Sequence, residues 1–357
     1  MNALKKGVKI TKKSKPKKSD KILLSVVIPC HNCKETIERL LDSLVQQINP
    51  PRFEVIIQDD YSTDNFMEIV NKYKKSLDIK YFLNEKREIH CPSNTRLDGM
   101  KHISGEWVTF IDHDDIFEIN AFSEFAQCLE KTHEQVLIAS NFRYYYIDQN
   151  KYGKEFIQTN TSTWLHGKFY NVKYLTDRNI TFKENILSNE DLYFNQCILA
   201  HIAAEKINYT MLNVFTYKWV YNDDSLSRAM FKDEEFYIDK YFDEYLEAAT
   251  QPWIDIATNR SDMGKTAFIR VCYIALYGYF YYQSLYYRRG CKHHRKNRDI
   301  YENFINKIKT DFAAENSDII DFIYSNDAIY NKIREDCFGG CVHLIETESF
   351  KDFINRF

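Results

Sequence analysis

Glycine and proline are scarce in this sequence, with 10 and 6 among 357 residues, whereas 44% of the residues are hydrophobic and 15% are aromatic. This composition excludes a disordered chain and predicts a sizeable core. The nine cysteines lack the spacing of a disulfide framework, and the pair Cys30–Cys33 lacks the second pair of a zinc ribbon. Because the sequence also shows no secretory signal pattern, we expect reduced thiols in a cytoplasmic protein.

Charge is nearly balanced overall, at a net −3, but the first 21 residues hold nine lysines and one aspartate. We predict residues 1–21 to be a disordered basic tail, with attraction to an anionic membrane surface as the alternative. The rest of the chain is acidic and would repel phosphates, so we expect no nucleic-acid partner.

Strand-like and helix-like patterns alternate from residue 22 onward. ILLSVVIP is a continuous apolar run, typical of a strand buried on both faces, and a helical stripe of apolar residues follows from Ile37 to Ile48. The alternation continues with the strand candidates FEVIIQ, IKYFLN and WVTFI. Repeated strand–helix–strand units predict an α/β fold with a mostly parallel sheet flanked by helices.

Polar clusters follow three of these strands, at residues 29–32, 59–64 and 112–115. Parallel strands present their carboxyl ends at one edge of the sheet, where ligands bind, so we expect the clusters to lie together. The third cluster, DHDD, holds carboxylates that could bind Mg²⁺ or Mn²⁺ together with a diphosphate. Its alternative role is to cap the next helix through Asp114 or Asp115.

The alternation ends after residue 230, and the remaining sequence is predicted to be helical. Residues 267–287 are rich in tyrosine and interrupted by Arg270, which argues against a membrane span, and a basic stretch follows at 288–298. Two interpretations stay open, a buried or homodimer-forming helix and a helix lying on an anionic membrane surface. The predicted organisation is therefore a basic tail, a first domain at 22–230 and a helical region at 231–357.

Five motifs, in this order, resemble those of glycosyltransferase family 2, which has the GT-A fold. They are ILLSVVIPCHN, FEVIIQDDYSTDN, TRLDGMKHISGEWVTFIDHDD, HGKFYNVKYLTDRNITFKENILSNEDLYF and YKWVYNDDSLSR. The resemblance implies an inverting, metal-dependent hexosyl- or N-acetylhexosaminyltransferase. It would move a sugar from a nucleoside-diphosphate donor, with UDP as the first choice, to a hydroxyl acceptor during surface glycan or polysaccharide assembly.

The resemblance also implies residues for the donor. Asp60 would accept the N3 proton of a uracil-like base beside Pro29, and Arg96 would pair with the diphosphate, which suits the forked guanidinium. Asp112 would lie near the ribose and the metal, and Asp114 would bind the Mn²⁺ or Mg²⁺ ion directly.

On the acceptor side, Asp191 of the pair Glu190–Asp191 would be the general base that takes the proton of the acceptor hydroxyl. Considered alone, the pair could instead begin a helix. Arg228 is a further candidate contact of the diphosphate, and Trp164 and His166 belong either to the acceptor groove or to the core. The acceptor could be a glycan, a lipid-linked glycan or a protein. Peripheral binding to the inner face of a membrane is a further open alternative.

Two positions depart from the family pattern. Leu97 stands where asparagine usually follows the arginine, and Tyr61 replaces a small residue and could narrow the nucleotide pocket. His113 is expected to point away from the metal, and Arg96 could also be an ordinary surface arginine. The alternative function is a catalytically inactive scaffold at a membrane surface, but each carboxylate that the mechanism needs is present.

Overall fold

The structure is a computed structural model. It describes residues 21–132, 135–145, 157–158, 163–222, 234–289, 299–304, 306–307 and 331, and only the backbone of 157–158, 234–241 and 280–289. The predicted tail up to residue 20, the candidate Arg228 and the basic stretch at 290–298 lie outside the described residues.

The first half of the sheet consists of four parallel strands, and three helices connect them. This confirms the predicted alternation of strands and helices. The strand order is β3-β2-β1-β4, and all seven residues of β1 are buried. The elements are β1 (Leu24–Cys30), α1 (Ile37–Val45), β2 (Phe53–Asp59), α2 (Met67–Tyr73), β3 (Ile79–Leu83), α3 (Pro92–Met100) and β4 (Trp107–Phe110).

The second half of the sheet is mixed rather than parallel. β8 pairs antiparallel with β4 and β6, and β9 lies parallel to β6 and antiparallel to β5. The elements are β5 (Ile116–Phe117), α4 (Ala121–Lys131), β6 (Leu137–Tyr145), β7 (Ile157–Gln158), β8 (Lys168–Asn171), α5 (Val172–Asp177), α6 (Glu190–Glu205) and β9 (Thr210–Val220). β8 has only four residues, too few for strand periodicity to show in the sequence.

Apolar clusters cover both faces of the sheet. Alternate residues of β1 divide between them, with Val26 and Ile28 on one face and Val27 on the other. The first cluster includes residues of α1, α2 and α4, and the second includes residues of α5 and α6. Leu97, the departure in α3, packs against the second cluster, so a leucine is accommodated there by the core.

Two long helices follow residue 230, α7 (Glu234–Asn259) and α8 (Gly264–Arg289), which confirms the predicted helical character for the described part of this region. They share a third apolar cluster with α6, which includes Leu192, Ala200, Ala249, Trp253, Phe268 and Val271. Among the described residues, no helix is both long enough and apolar enough to cross a bilayer.

Candidate active site

The three polar clusters lie along one edge of the sheet, where β1, β2 and β4 end. The parallel register places Cys30 of β1 opposite Asp59 of β2, and β4 pairs with the other side of β1, so residues 112–115 begin at the same edge. Beyond the strands, His31 Nδ1 lies 2.7 Å from the Asp60 carbonyl oxygen. The loops after β1 and β2 are therefore bonded to each other.

Asp59 and Asp60 are adjacent in sequence but have different surroundings. Asp59 is used within the fold, since its Oδ2 accepts from Tyr81 OH at 2.7 Å and its Oδ1 from the loop that follows. Asp60 is 7% exposed, and its Oδ1 contacts Asn84 Nδ2 at 3.0 Å and His90 Nδ1 at 2.7 Å. In the described part of the chain these contacts fall on Oδ1, so Oδ2 of Asp60 is the atom that a ligand can use.

Tyr61 has a left-handed backbone, with a φ of 56°, a conformation that residues with a Cβ adopt at a cost. A small residue suits such a turn, which accounts for the family pattern at this position. The Tyr61 hydroxyl donates to the Asn84 carbonyl at 3.2 Å, and its ring packs edge-on against His90. Tyr61 thus retains the turn conformation and places an aromatic ring beside Asp60.

The carboxylates of the acidic turn have separate partners. Asp115 is buried and accepts from Tyr217 OH at 2.5 Å and from Val220 N–H at 2.8 Å. Burial, together with the negative charge of Asp114, raises the pKa of Asp115 well above its usual range. The next helix, α4, has Asn120 at its N-cap, so the alternative that Asp114 or Asp115 caps it is wrong.

Helix α1 holds the acidic turn from the other side. Thr36 Oγ1 lies 2.8 Å from His113 Nδ1, and Arg39 Nη2 donates to the Asp114 carbonyl at 2.5 Å. His113 is thus bonded to α1. The Asp114 carboxylate accepts from Asn222 Nδ2 at 3.1 Å.

Arg96 joins the acidic turn to the start of α6. Its Nη2 donates to Asp112 Oδ1 at 2.5 Å and its Nη1 to Glu190 Oε1 at 2.6 Å, while Asp191 Oδ1 lies 3.5 Å from Nη1. Arg96 is 3% exposed, so its interpretation as a surface arginine is wrong. Burial alone would lower the pKa of Arg96, but the three carboxylates outweigh burial, and the net pKa lies above the usual range of arginine. Both terminal nitrogens face carboxylates here, and a diphosphate contact stays a prediction.

Asp191 is the second residue of α6 and lies beside Arg96. Its Oδ2 accepts from Leu165 N–H at 3.3 Å, and its buried Oδ1 has no hydrogen-bond donor within the described residues. Burial raises the pKa of Asp191 to about 7, with Arg96 opposing the shift and Glu190 adding to it. A carboxylate with a pKa near neutrality suits a general base.

Asp112 differs from Asp191 although both face the same guanidinium. Burial would raise the pKa of Asp112, but Arg96, in a shorter contact, lowers it below the usual value. Asp112 is therefore ionised at neutral pH, and Asp191 is the member of the pair that changes protonation there. Two acids whose pKa values are pushed apart in this way commonly divide catalytic roles.

A metal ion would fit beside Asp112. Asp112, Asp115 and His166 offer ligand atoms within 4.8 Å of one another. Burial lowers the pKa of His166 to about 3, which keeps the imidazole in its neutral, metal-binding form, and its Nδ1 has no hydrogen-bond partner among the described residues. Asp112 and His166 suit a divalent cation such as Mn²⁺, and Asp115, whose pKa is raised, would join them only on losing its proton. Asp114 is outside this group, so its role as a ligand stays a prediction.

His166 is a site residue for which the sequence leaves two interpretations, the acceptor groove and the hydrophobic core. It precedes β8 and is far in sequence from the acidic turn, so no motif joins the two. Its ring stacks on Tyr217 at 4.6 Å and lies near Trp164 at 6.0 Å, and the structure brings it to Asp112 through the antiparallel pairing of β8 with β4.

Lys168 is a buried cation close to the site, and no carboxylate forms an ion pair with it in the described part of the chain. Its Nζ donates to the Trp164 carbonyl. Burial lowers the pKa of Lys168 to about 7, against the attraction of Asp191. An unfolded lysine keeps its proton up to about pH 10.4, so the unfolded state binds more protons between that pH and 7, and stability falls as the pH is lowered through this window.

We therefore expect Lys168→Met to raise the free energy of unfolding, on the order of 1–3 kcal/mol at pH 6 and less at pH 9.5. Urea unfolding at both pH values measures this. The matched control is Lys173→Met, whose side chain is 81% exposed, and it should change little. A loss of stability at pH 6 in Lys168→Met would contradict the prediction.

The fold is of the GT-A type, a mixed α/β sheet with flanking helices. Residues 25–188 match the model of glycosyl transferase family 2. The matched segment is a little under half of the chain; it includes Asp60, Arg96 and Asp112 and ends before Asp191. The crystal structure of Staphylococcus aureus TarS 1–349 in complex with UDP-GlcNAc is similar in fold, with a TM-score of 0.53 and 18% identity over 80% of this chain and 92% of that chain.

Two curated relatives match a region of 226 residues, or 60% of this chain. Poly(ribitol-phosphate) beta-N-acetylglucosaminyltransferase TarS of S. aureus is 29% identical, and poly(ribitol-phosphate) beta-glucosyltransferase of Bacillus spizizenii is 27% identical. The matched region covers 38% of the first relative and 35% of the second. The chain thus spans less than two fifths of the length of these relatives.

Proposed function

We propose that this protein is an inverting glycosyltransferase that moves a sugar from a UDP-sugar to a hydroxyl acceptor. The observation that carries the proposal is the position of Asp191, a buried carboxylate with a pKa near neutrality that Arg96 connects to Asp112 at the nucleotide edge of the sheet. The relatives are named as N-acetylglucosaminyl- and glucosyltransferases, which supports a hexosyl or N-acetylhexosaminyl donor.

Asp191 acts as the general base in this proposal. Its Oδ1 takes the proton of the acceptor hydroxyl while that oxygen attacks the anomeric carbon of the donor sugar. The bond from this carbon to the diphosphate oxygen breaks, and its electron pair leaves with the nucleoside diphosphate. Attack from the side opposite the leaving group inverts the anomeric configuration. Glu190 contributes by holding Arg96, and Leu165 N–H holds Oδ2, which leaves Oδ1 for the acceptor.

The donor would lie along the strand ends. Oδ2 of Asp60 accepts the N3 proton of uracil, next to Pro29 in β1, and Tyr61 closes one side of the base pocket. A Mn²⁺ or Mg²⁺ ion held by Asp112 and His166, whose ligand atoms lie close together, would supply positive charge to the diphosphate. Asp114 is proposed as a further ligand of the ion. Arg228 is proposed as a second cation for the diphosphate.

The acceptor is proposed to be a hydroxyl of a surface glycopolymer. Both curated relatives are named for poly(ribitol-phosphate), a hydroxyl-rich polyanion. Assembly of such a polymer at the inner face of a membrane would suit a peripheral protein with basic segments at 1–21 and 288–298. The tyrosine-rich α8 is the candidate surface for a homodimer.

Calorimetric titration of UDP, with and without Mn²⁺, tests the donor assignment. We expect metal-dependent UDP binding that Asp114→Asn weakens by at least about tenfold, equivalent to about 1.4 kcal/mol. Asp78→Asn, a change in an exposed loop on the same sheet, is the matched control and should bind as the wild type does. If a folded wild-type protein binds no nucleotide, the transferase proposal is wrong and an inactive scaffold becomes the better description.

A further inference from the structure

The C-terminal helices are attached to the helix that carries Asp191. Trp253 of α7 donates its indole N–H to Gln196 Oε1 of α6 at 2.9 Å, and both side chains are buried. The apolar cluster that α6 shares with α7 and α8 includes Leu192, the residue after Asp191. The helical region therefore contacts the first turn of α6, which contains the candidate base Asp191.

A single carboxylate of α7 binds the chain directly before α6. Glu244 Oε1 accepts from Ser188 N–H at 2.7 Å, and its Oε2 accepts from Leu187 N–H at 3.3 Å. The N-cap of α6, Asn189, makes no side-chain capping bond and has a left-handed backbone with a φ of 63°. A carboxylate that accepts two backbone N–H groups at a helix N-terminus forms strong, charge-assisted bonds. Glu244 thus anchors, from another helix, the two residues before the N-cap, and these lie outside the first-turn N–H groups that a capping side chain accepts from.

Helix α3 fixes the other end of the same loop. Asn94 Nδ2 donates to Asn185 Oδ1 at 3.0 Å, and Asn185 N–H donates to Asn94 Oδ1 at 3.0 Å. Ser93 Oγ donates to the Lys183 carbonyl. The loop at 183–189 is therefore held by α3 at its start and by Glu244 at its end, and Asp191 follows three residues after Ser188.

We propose that Glu244 is a positioning residue for sugar transfer, which sets the place of Asp191 from the C-terminal helices. The inference rests on the proposed role of Asp191 as general base. Its physical reason is that two bonds to the adjacent N–H groups of Leu187 and Ser188 fix the chain that leads into the first turn of α6. A displacement of about 1 Å in a reacting group can cost about 100-fold in rate. The C-terminal helices then form part of the catalytic unit.

The test compares three variants of the full chain. Glu244→Ala should lower kcat for transfer by about 10- to 100-fold with an unchanged donor KM and unchanged UDP affinity. Glu244→Gln keeps one oxygen acceptor and should recover part of the rate. Glu247→Gln is the control on the same helix. Its side chain is 57% exposed and pairs with Lys183 at the surface, and such pairs contribute little.

The outcomes separate this inference from the proposed function. A wild-type protein that binds UDP but transfers no sugar overturns the function and the positioning role together. An active wild type with an unaffected Glu244→Ala overturns the positioning role alone. A kcat loss that is equal in Glu244→Ala and Glu244→Gln and follows their loss of thermal stability also overturns it, because a purely structural role predicts that pattern.

Discussion

Replacing Asp191 with asparagine should reduce sugar transfer by about 10²–10⁴-fold, the usual contribution of a general base. Asparagine keeps the shape of the side chain and can still accept from Leu165 N–H, but it cannot take a proton. UDP binding should not change at pH 6, where wild-type Asp191 is itself largely protonated and the donor contacts assigned to Asp60 and Asp112 are intact. Initial rates with saturating UDP-sugar, together with calorimetric UDP titration, measure the two effects separately.

The pH dependence of the wild type provides a second measurement. Because burial raises the pKa of Asp191 to about 7, kcat should increase from pH 6 to pH 8 as Asp191 loses its proton. A kcat that is flat across this range would contradict the assignment of Asp191 as the base.

The same substitution should make the fold more stable above neutral pH. Unfolded aspartate ionises near pH 3.9, whereas folded Asp191 ionises near 7, so the unfolded state binds fewer protons in between and stability falls as the pH rises. Asp191→Asn removes this loss, and we expect a gain on the order of 1–3 kcal/mol at pH 8 and none at pH 4. Asp177→Asn, in the short surface helix α5, is the control for both activity and stability. An inactive variant that is also less stable at pH 8 would indicate damage to the fold instead.

Replacing Arg96 with methionine should destabilise the protein by about 3–5 kcal/mol at pH 7, because Asp112, Glu190 and Asp191 would then be left without their shared cation. The loss should be smaller at pH 5, where carboxylates that lack a cation can take up protons. Arg96→Lys restores the charge but not the forked geometry, so its stability should lie between those of the wild type and the methionine variant.

Urea unfolding at pH 7 and pH 5 measures these differences. Arg260→Met is the control, since Arg260 forms an exposed pair with Asp262 and its removal should leave stability unchanged. An Arg96→Met protein as stable as the wild type would show that the three carboxylates do not depend on Arg96.

Much of the fold could be predicted from the sequence because its first half is regular. The strands β1, β2 and β4 are nearly continuous apolar runs. The strands β1, β2 and β3 are each followed by a helix. Once the strands are parallel, the edge that gathers Asp60 and the acidic turn follows from topology alone. Asp60, Asp112 and Asp191 were thus within reach of motif and topology.

The contacts that join these residues could not be predicted. Arg96 and Glu190 are far apart in sequence, and their pairing depends on how α6 returns to the sheet after the antiparallel β8. His166 begins the fourth motif, but nothing in the motif indicates a contact with Asp112, and Lys168 lies in a strand too short to show periodicity. Glu244 lies in a helix whose sequence has no family signature. Its partners are backbone N–H groups, which any residue except proline has, so the sequence does not identify them.

The sharing of one guanidinium between Asp112 and Asp191 has a thermodynamic consequence, because linkage is reciprocal. A donor-side ligand that pulls the Asp112 carboxylate away from Arg96 would strengthen the attraction between Arg96 and Asp191. This attraction lowers the pKa of Asp191 and so favours its ionised form. By the same linkage, ionised Asp191 favours that ligand, with typical coupling of about 1–3 kcal/mol. Donor affinity should therefore rise with pH near 7, and donor should bind before the acceptor gives up its proton.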